Sequence, residues 1–146
     1  MASTHFLDEK DQNMTHARIE HVNLTVSNPE QTAEMLIDLF GWHIRWQGPI
    51  ASGGHTIHVG SETHYLAVYA TADSNGCHLA FEKGQPLNHV GILVDDLDSV
   101  EHKVIARGLT PFSHGDYDPG RRFYFFDSDG IEFEVISYSH VEGLER

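Results

Sequence analysis

The sequence predicts an α+β fold: two tandem βαβββ modules whose strands form a cupped, mixed sheet. Two observations carry that prediction. An alternating strand led by a histidine occurs twice, as His21-Val22-Asn23-Leu24-Thr25-Val26 and as His89-Val90-Gly91-Ile92-Leu93-Val94, and each copy precedes a polar cap and a helically spaced apolar run. Each helix is followed by short β-rich segments broken by turn residues.

In chain order, residues 1–17 are polar and aperiodic, so they are expected to form a mobile tail ahead of a single domain spanning residues 18–146. The first strand runs from Ile19 to Val26. Val22, Leu24 and Val26 take its apolar face, and His21, Asn23 and Thr25 its polar one. Asn28 then caps a helix whose first turn suits Pro29, and Ala33, Leu36, Ile37 and Phe40 follow at helical spacing until Gly41. From Trp42 to Ala70, turns at Gly48-Pro49, Ser52-Gly53-Gly54 and Gly60-Ser61-Glu62 separate three strands and complete module 1, residues 18–70. Residues 71–87 are polar and read as a linker. In module 2, residues 88–140, Asp96 caps a helix carrying Leu97, Val100, Val104 and Ile105, which Gly108 ends. Arg121–Phe126 and Ile131–Ile136 then flank the turn Asp127-Ser128-Asp129-Gly130 as a hairpin. The preceding loop, residues 113–120, reads as a candidate lid with His114 as its acid or base.

Composition narrows the function classes. A chain of 146 residues that is 40% hydrophobic can bury one core but not two ordinary domains. It contains no apolar run of the roughly 18 residues a membrane helix needs, so a cytoplasmic protein without a membrane partner is expected. A net charge of -13 with only nine Lys and Arg excludes ordinary phosphate-backbone binding, hence nucleic acid. Cys77 is the single cysteine, so any metal must be held by nitrogen and oxygen.

The repeat itself nominates the site. His21 and His89 occupy matching positions, and Ala67 in module 1 matches Glu134 in module 2. Two such units facing one another converge four side chains, three of which bind metals: His21, His89 and Glu134. Two imidazoles and a carboxylate suit a divalent ion and leave coordination positions open for water or substrate. Strand parity adds neighbours. Arg122 and Tyr124 point inward as catalytic and substrate-binding candidates, with Arg122 suited to a carboxylate, phosphate or enolate oxygen and Tyr124 to proton or hydrogen-bond donation. Tyr65 and Tyr69 flank Ala67, Glu132 and Ile136 share the face of Glu134, and Asn23 and His55, the latter aligned with Arg122, complete the substrate-binding set.

The paired layout and the motifs His-Val-Asn-Leu-Thr-Val, Asn-His-Val-Gly-Ile-Leu-Val-Asp-Asp-Leu-Asp and Arg-Phe-Tyr-Phe-Phe-Asp-Ser-Asp-Gly-Ile-Glu-Phe-Glu-Val resemble the vicinal oxygen chelate superfamily over residues 19 to 140. The resemblance implies a metal cupped by the sheets and a substrate that chelates it through adjacent oxygens. Glyoxalase I in that superfamily has a fourth ligand where this chain has Ala67, which argues against its proton-transfer chemistry. Two His and one Glu are shared by extradiol ring-cleaving dioxygenases and by fosfomycin-modifying thiol transferases. The fosfomycin enzymes carry Thr where this chain has Asn23, and their lysine-containing anion loop is not found here.

The expectation is therefore a metal-dependent enzyme acting on a small oxygen-bearing molecule, with dioxygenase, lyase or transferase chemistry open. Its cofactor is a divalent metal ion, iron(II), manganese, nickel or zinc. A homodimer is expected, with His21 meeting His89 and Glu134 within one chain or across two. The alternative is a metal-free, ligand-sequestering protein of the same fold, as in bleomycin resistance. His43, His58, His78 and His102 are read as structural or solvent-facing, and Trp42 and Trp46 as core or interface residues outside the site.

Overall fold

The computed structural model describes residues 17–51, 53–72 and 87–138, so the expected tail, most of the linker and Cys77 lie outside the described residues. Module 1 contains β1 (His21–Thr25), α1 (Pro29–Phe40), β2 (His43–Pro49), β3 (His55–Gly60) and β4 (Tyr65–Ala70). Module 2 repeats the order as β5 (Val90–Leu93), α2 (Leu97–Ala106), β6 (Phe112–Tyr117), β7 (Gly120–Phe126) and β8 (Glu132–Tyr138). Each module forms a four-stranded mixed sheet, in the orders β1-β4-β3-β2 and β5-β8-β7-β6. In both, the first strand runs parallel to the last and the remaining pairs are antiparallel.

Local chemistry explains the boundaries. The Asn28 side chain accepts the Gln31 N–H at 3.0 Å, and Gly41, at φ 66°, turns the chain so that its N–H reaches the Ile37 carbonyl. Asp96 caps α2 in the same way through Ser99. At the β7–β8 turn, the Asp127 carboxylate accepts the N–H groups of Asp129 and Ile131 at 2.9 and 2.8 Å, while Gly130 supplies the positive φ of 80°.

One core joins the modules. Leu36, Leu39, Ile57 and Val68 from the first pack in one cluster with Val104, Phe123, Phe125 and Phe133 from the second. Phe123, Phe125 and Phe133 are fully buried, and replacing any of them by Ala would cost about 3–5 kcal/mol. The helices α1 and α2 lie against each other, tied by Arg107 to the Asp38 carboxylate at 3.1 Å and by Lys103 to the Asp38 carbonyl. A second tie runs from the Ser27 N–H to Asp129 at 3.1 Å.

The expected lid at residues 113–120 needs correction. Residues 112–117 are β6, paired to β7 with an irregularity between Phe112 and Gly115, where Ser113 takes φ 52°. Polar residues and the bulge hide any alternation there, and His114 is held by strand pairing and by its contact with Glu101 of α2.

Candidate functional site

The register places the two modules' key positions in correspondence. Gly91 of β5 lies opposite Glu134 of β8, which lies opposite Tyr124 of β7. Asn23 of β1 lies opposite Ala67 of β4, which lies opposite His58 of β3. Ala67 is thus the true counterpart of Glu134, and His58 that of Tyr124. His55 does not align with Arg122: Thr56 does, since Thr56 pairs with Tyr69 as Arg122 pairs with Ile136. The one-residue shift turns His55 to the helix side of the sheet, 3.5 Å from Glu30, and removes it from the concave face.

On the concave side of module 2, four predicted residues converge. His89 Nε2 is 3.1 Å from Glu134 Oε2, and Arg122 donates to Glu134 Oε1 at 2.9 Å. The Arg122 and Glu134 side chains are only 10% and 12% exposed, so water screens the pair weakly. The Arg122 guanidinium also lies 4.2 Å above the Tyr117 ring. Tyr124 lies across the β7–β8 pair from Glu134, and its ring meets His89 edge-on with centroids 5.7 Å apart. Burial and the adjacent Glu134 carboxylate push the Tyr124 phenol up from its ordinary value, so it stays protonated and able to donate.

His89 is oriented by its sequence neighbour. Its Nδ1 lies 2.7 Å from Asn88 Oδ1, within hydrogen-bond distance, which fixes the ring with Nε2 facing Glu134. His21 repeats the device, with Nδ1 2.6 Å from Glu20 Oε2. This pairing, a side-chain acceptor immediately before each histidine, was legible in the sequence as Glu20-His21 and Asn88-His89 and is a feature the spacing argument missed. Its hydrogen bond to His21 holds the Glu20 carboxyl below its usual value.

His21 stands elsewhere in the chain. It begins a row of rings on the concave face of module 1: His21 to Tyr65 at 5.0 Å, Tyr65 to His58 at 4.6 Å, and His58 to Trp46 at 5.2 Å. Arg45 lies 4.6 Å above Tyr65. Burial, and then the charge of His21, lower the pKa of His58. Asn23 and Tyr69 line the neighbouring hollow with Trp46 and His58, so Trp46, half exposed, belongs to this face and not to the core. Trp42 packs at the core edge beside Phe40. Among the described residues, no three His, Cys, Asp or Glu side chains gather at metal-binding distance within the single chain. The predicted triad is split two and one.

Residues 18–135 match the family model described as Glyoxalase/Bleomycin resistance protein/Dioxygenase superfamily. The chain belongs to this superfamily. Solved members share its fold at low identity. A glyoxylase/bleomycin resistance protein/dioxygenase domain from Frankia sp. EAN1pec superposes with a TM-score of 0.74 at 18% identity, covering 86% of this chain and 100% of that one. The fosfomycin resistance protein FosX from Mesorhizobium loti gives 0.66 at 23% identity, covering 90% and 99%. A variant of FosX from Listeria monocytogenes, complexed with Mn(II) and a dihydroxypropylphosphonic acid, gives 0.66 at 18%, covering 88% and 98%. No curated protein matches the sequence. No helix among the described residues is long and apolar enough to cross a membrane.

Proposed function

We propose that the protein is a metal-dependent enzyme whose divalent ion is held by His89 and Glu134 of one chain and His21 of a second copy. The observation that carries this reading is the pair His89 Nε2 and Glu134 Oε2, a ring nitrogen and a carboxylate oxygen facing one another at 3.1 Å. Such a pair needs a cation or a shared proton between its members. The donor set suits manganese, iron(II), nickel or zinc, and the Asn88 and Glu20 clamps are the outer partners that metal-ligating histidines ordinarily have. His21 reaches the pair only if a second copy turns its module 1 face onto module 2, which a two-fold dimer does twice over.

The chain's own residues then divide the work. Arg122 fixes Glu134 through Oε1 and leaves Oε2 for the ion. Tyr124, held as a phenol, donates to a substrate oxygen or to Glu134. A bound ion would act as a Lewis acid on adjacent substrate oxygens. With Ala67 where glyoxalase I has a fourth ligand, positions stay open for substrate.

A specific observation favours a second reading, a metal-free binding protein: the ion pair with Arg122 neutralises Glu134 without any metal. Elemental analysis of protein purified without added metal, followed by titration with Mn(II), Fe(II), Ni(II) and Zn(II), separates the two. The enzyme reading expects one equivalent of ion per chain. A protein that takes up none of the four is the metal-free binder.

A further inference from the structure

The Tyr117 ring stands behind Arg122, one step removed from the Glu134 carboxylate, and the chain makes room for it. Gly115 and Tyr117 are two residues apart on β6 and share a face, and Gly115 lies opposite Arg122 of β7. Gly115 does not take a positive φ, so its missing side chain serves space and not backbone conformation. A Cβ there would stand 2.6 Å from Cε1 of the Tyr117 ring and 3.4 Å from Cγ of Arg122. The ring takes the space that the glycine leaves, and the Arg122 guanidinium lies 4.2 Å from the ring centroid.

Hydrogen bonds alone hold this guanidinium loosely. Nη1 donates to Glu134 Oε1 at 2.9 Å, but the bonds from Nη2 to the carbonyls of Tyr117 and Gly120 are long, at 3.4 and 3.3 Å. Nε is buried without a hydrogen-bond partner. Bonds of that length constrain the tilt of a planar group weakly. A ring face packed on the plane removes that freedom, and the attraction of cation for ring is strongest where water is excluded, as around the buried Arg122 side chain. Tyr117 itself is 59% exposed and stands outside the core cluster, so replacing it leaves Phe123, Phe125 and Phe133 packed.

We infer that Tyr117 is a positioning residue: its ring fixes the plane of Arg122, Arg122 fixes Glu134 through Oε1, and Oε2 is thereby held toward His89. The inference deepens the metal-centre reading and rests on it for the ion, whereas the hold on Arg122 exists in the metal-free chain. The role needs the aromatic face and not the hydroxyl. Gly115 belongs to the same device, since a methyl group at that position displaces the ring.

Paired measurements on the full chain test the inference. In protein stripped of metal by a chelator, nuclear magnetic resonance follows the exchange of the buried Arg122 Nε–H with solvent. Tyr117→Leu and Gly115→Ala should speed that exchange about tenfold, and Tyr117→Phe should leave it within about twofold of wild type. In a chelator-competition titration, Tyr117→Leu and Gly115→Ala should bind Mn(II) about tenfold more weakly, and Tyr117→Phe should bind it as wild type does. Gly115→Ala carries both expectations if Tyr117→Leu fails to fold, because it keeps the ring and only moves it. Unchanged exchange in the Leu and Ala variants, wild-type Mn(II) affinity in them, or a Tyr117→Phe protein as impaired as Tyr117→Leu would each overturn the inference. Mn(II) uptake by wild type with exchange indifferent to the ring sinks this inference alone. Exchange that follows the ring, with no Mn(II) uptake by wild type, sinks the metal centre and leaves the hold on Arg122 and Glu134 standing.

Discussion

Where β8 carries Glu134 between Gly91 and Tyr124, β4 carries Ala67 between Asn23 and His58. The two modules have the same register and opposite chemistry. Module 2 concentrates charge, with Arg122, Glu134 and His89 in contact. Module 1 replaces that cluster with an uncharged hollow and a row of rings, keeping one clamped histidine at its edge. The difference teaches that a shared register does not impose shared chemistry: one copy of the fold gathers a histidine, a carboxylate and a guanidinium, and the other an uncharged, ring-lined face.

The largest effects should fall on module 2. His89→Ala or Glu134→Ala should lower Mn(II) affinity by more than about 100-fold in a chelator-competition titration, beyond what outer partners contribute, whereas Ala67→Ser should leave it within about twofold. Next, Asn88→Ala should weaken binding by roughly 10–100-fold, and Glu20→Ala should do the same if the two clamps are equivalent. An Asn88→Ala effect without a Glu20→Ala effect would show that only one histidine is a ligand.

The hairpin turns sharpen the contrast through pH. In module 1 the β3–β4 turn is closed by the Ser61 N–H to the His64 carbonyl among exposed side chains. In module 2 burial raises Asp127 from 3.8 to about 6, outweighing the backbone N–H groups that favour its charge. The folded state therefore holds the Asp127 proton more tightly than the unfolded state. Its contribution to stability is fully present below the unfolded value of 3.8 and is lost as pH rises through about 6. Urea unfolding of wild type and Asp127→Asn should show the difference between them changing by roughly 3 kcal/mol across that window. Parallel curves would contradict the assignment. The smallest effect is expected at Thr56, the counterpart of Arg122. Without ligand, Thr56→Val should be neutral or stabilising by about 1 kcal/mol in the same unfolding measurement, because it removes an unpaired buried hydroxyl.

Much of this was legible in the sequence, for reasons that differ by element. Alternation and capping residues mark strands and helices locally, so Val22, Leu24, Asn28, Gly41 and Asp96 announced their elements without help from tertiary structure. β6 did not, because its polar residues and bulge break the period on which strand reading depends. His55 and His58 show the sharper limit. Register has a period of two, so an error of one residue turned His55 inward and His58 outward, and only the pairing of Thr56 with Tyr69 reverses them. Trp46 shows a related limit: of the core and interface places open to it in the sequence, the core is excluded, because β2 is an edge strand whose concave side is open. The division of the triad between module faces follows from how the helices pack, which no local pattern encodes.

Subunit mixing tests that division most directly. His21→Ala and His89→Ala proteins, each expected to bind Mn(II) poorly, are unfolded together, refolded and titrated. If the site joins His21 of one copy to His89 and Glu134 of the other, each mixed dimer regains one intact site, and about a quarter of the wild-type binding capacity returns. If the mixture binds no more Mn(II) than the separate variants, while wild type binds fully, the site is not shared between copies.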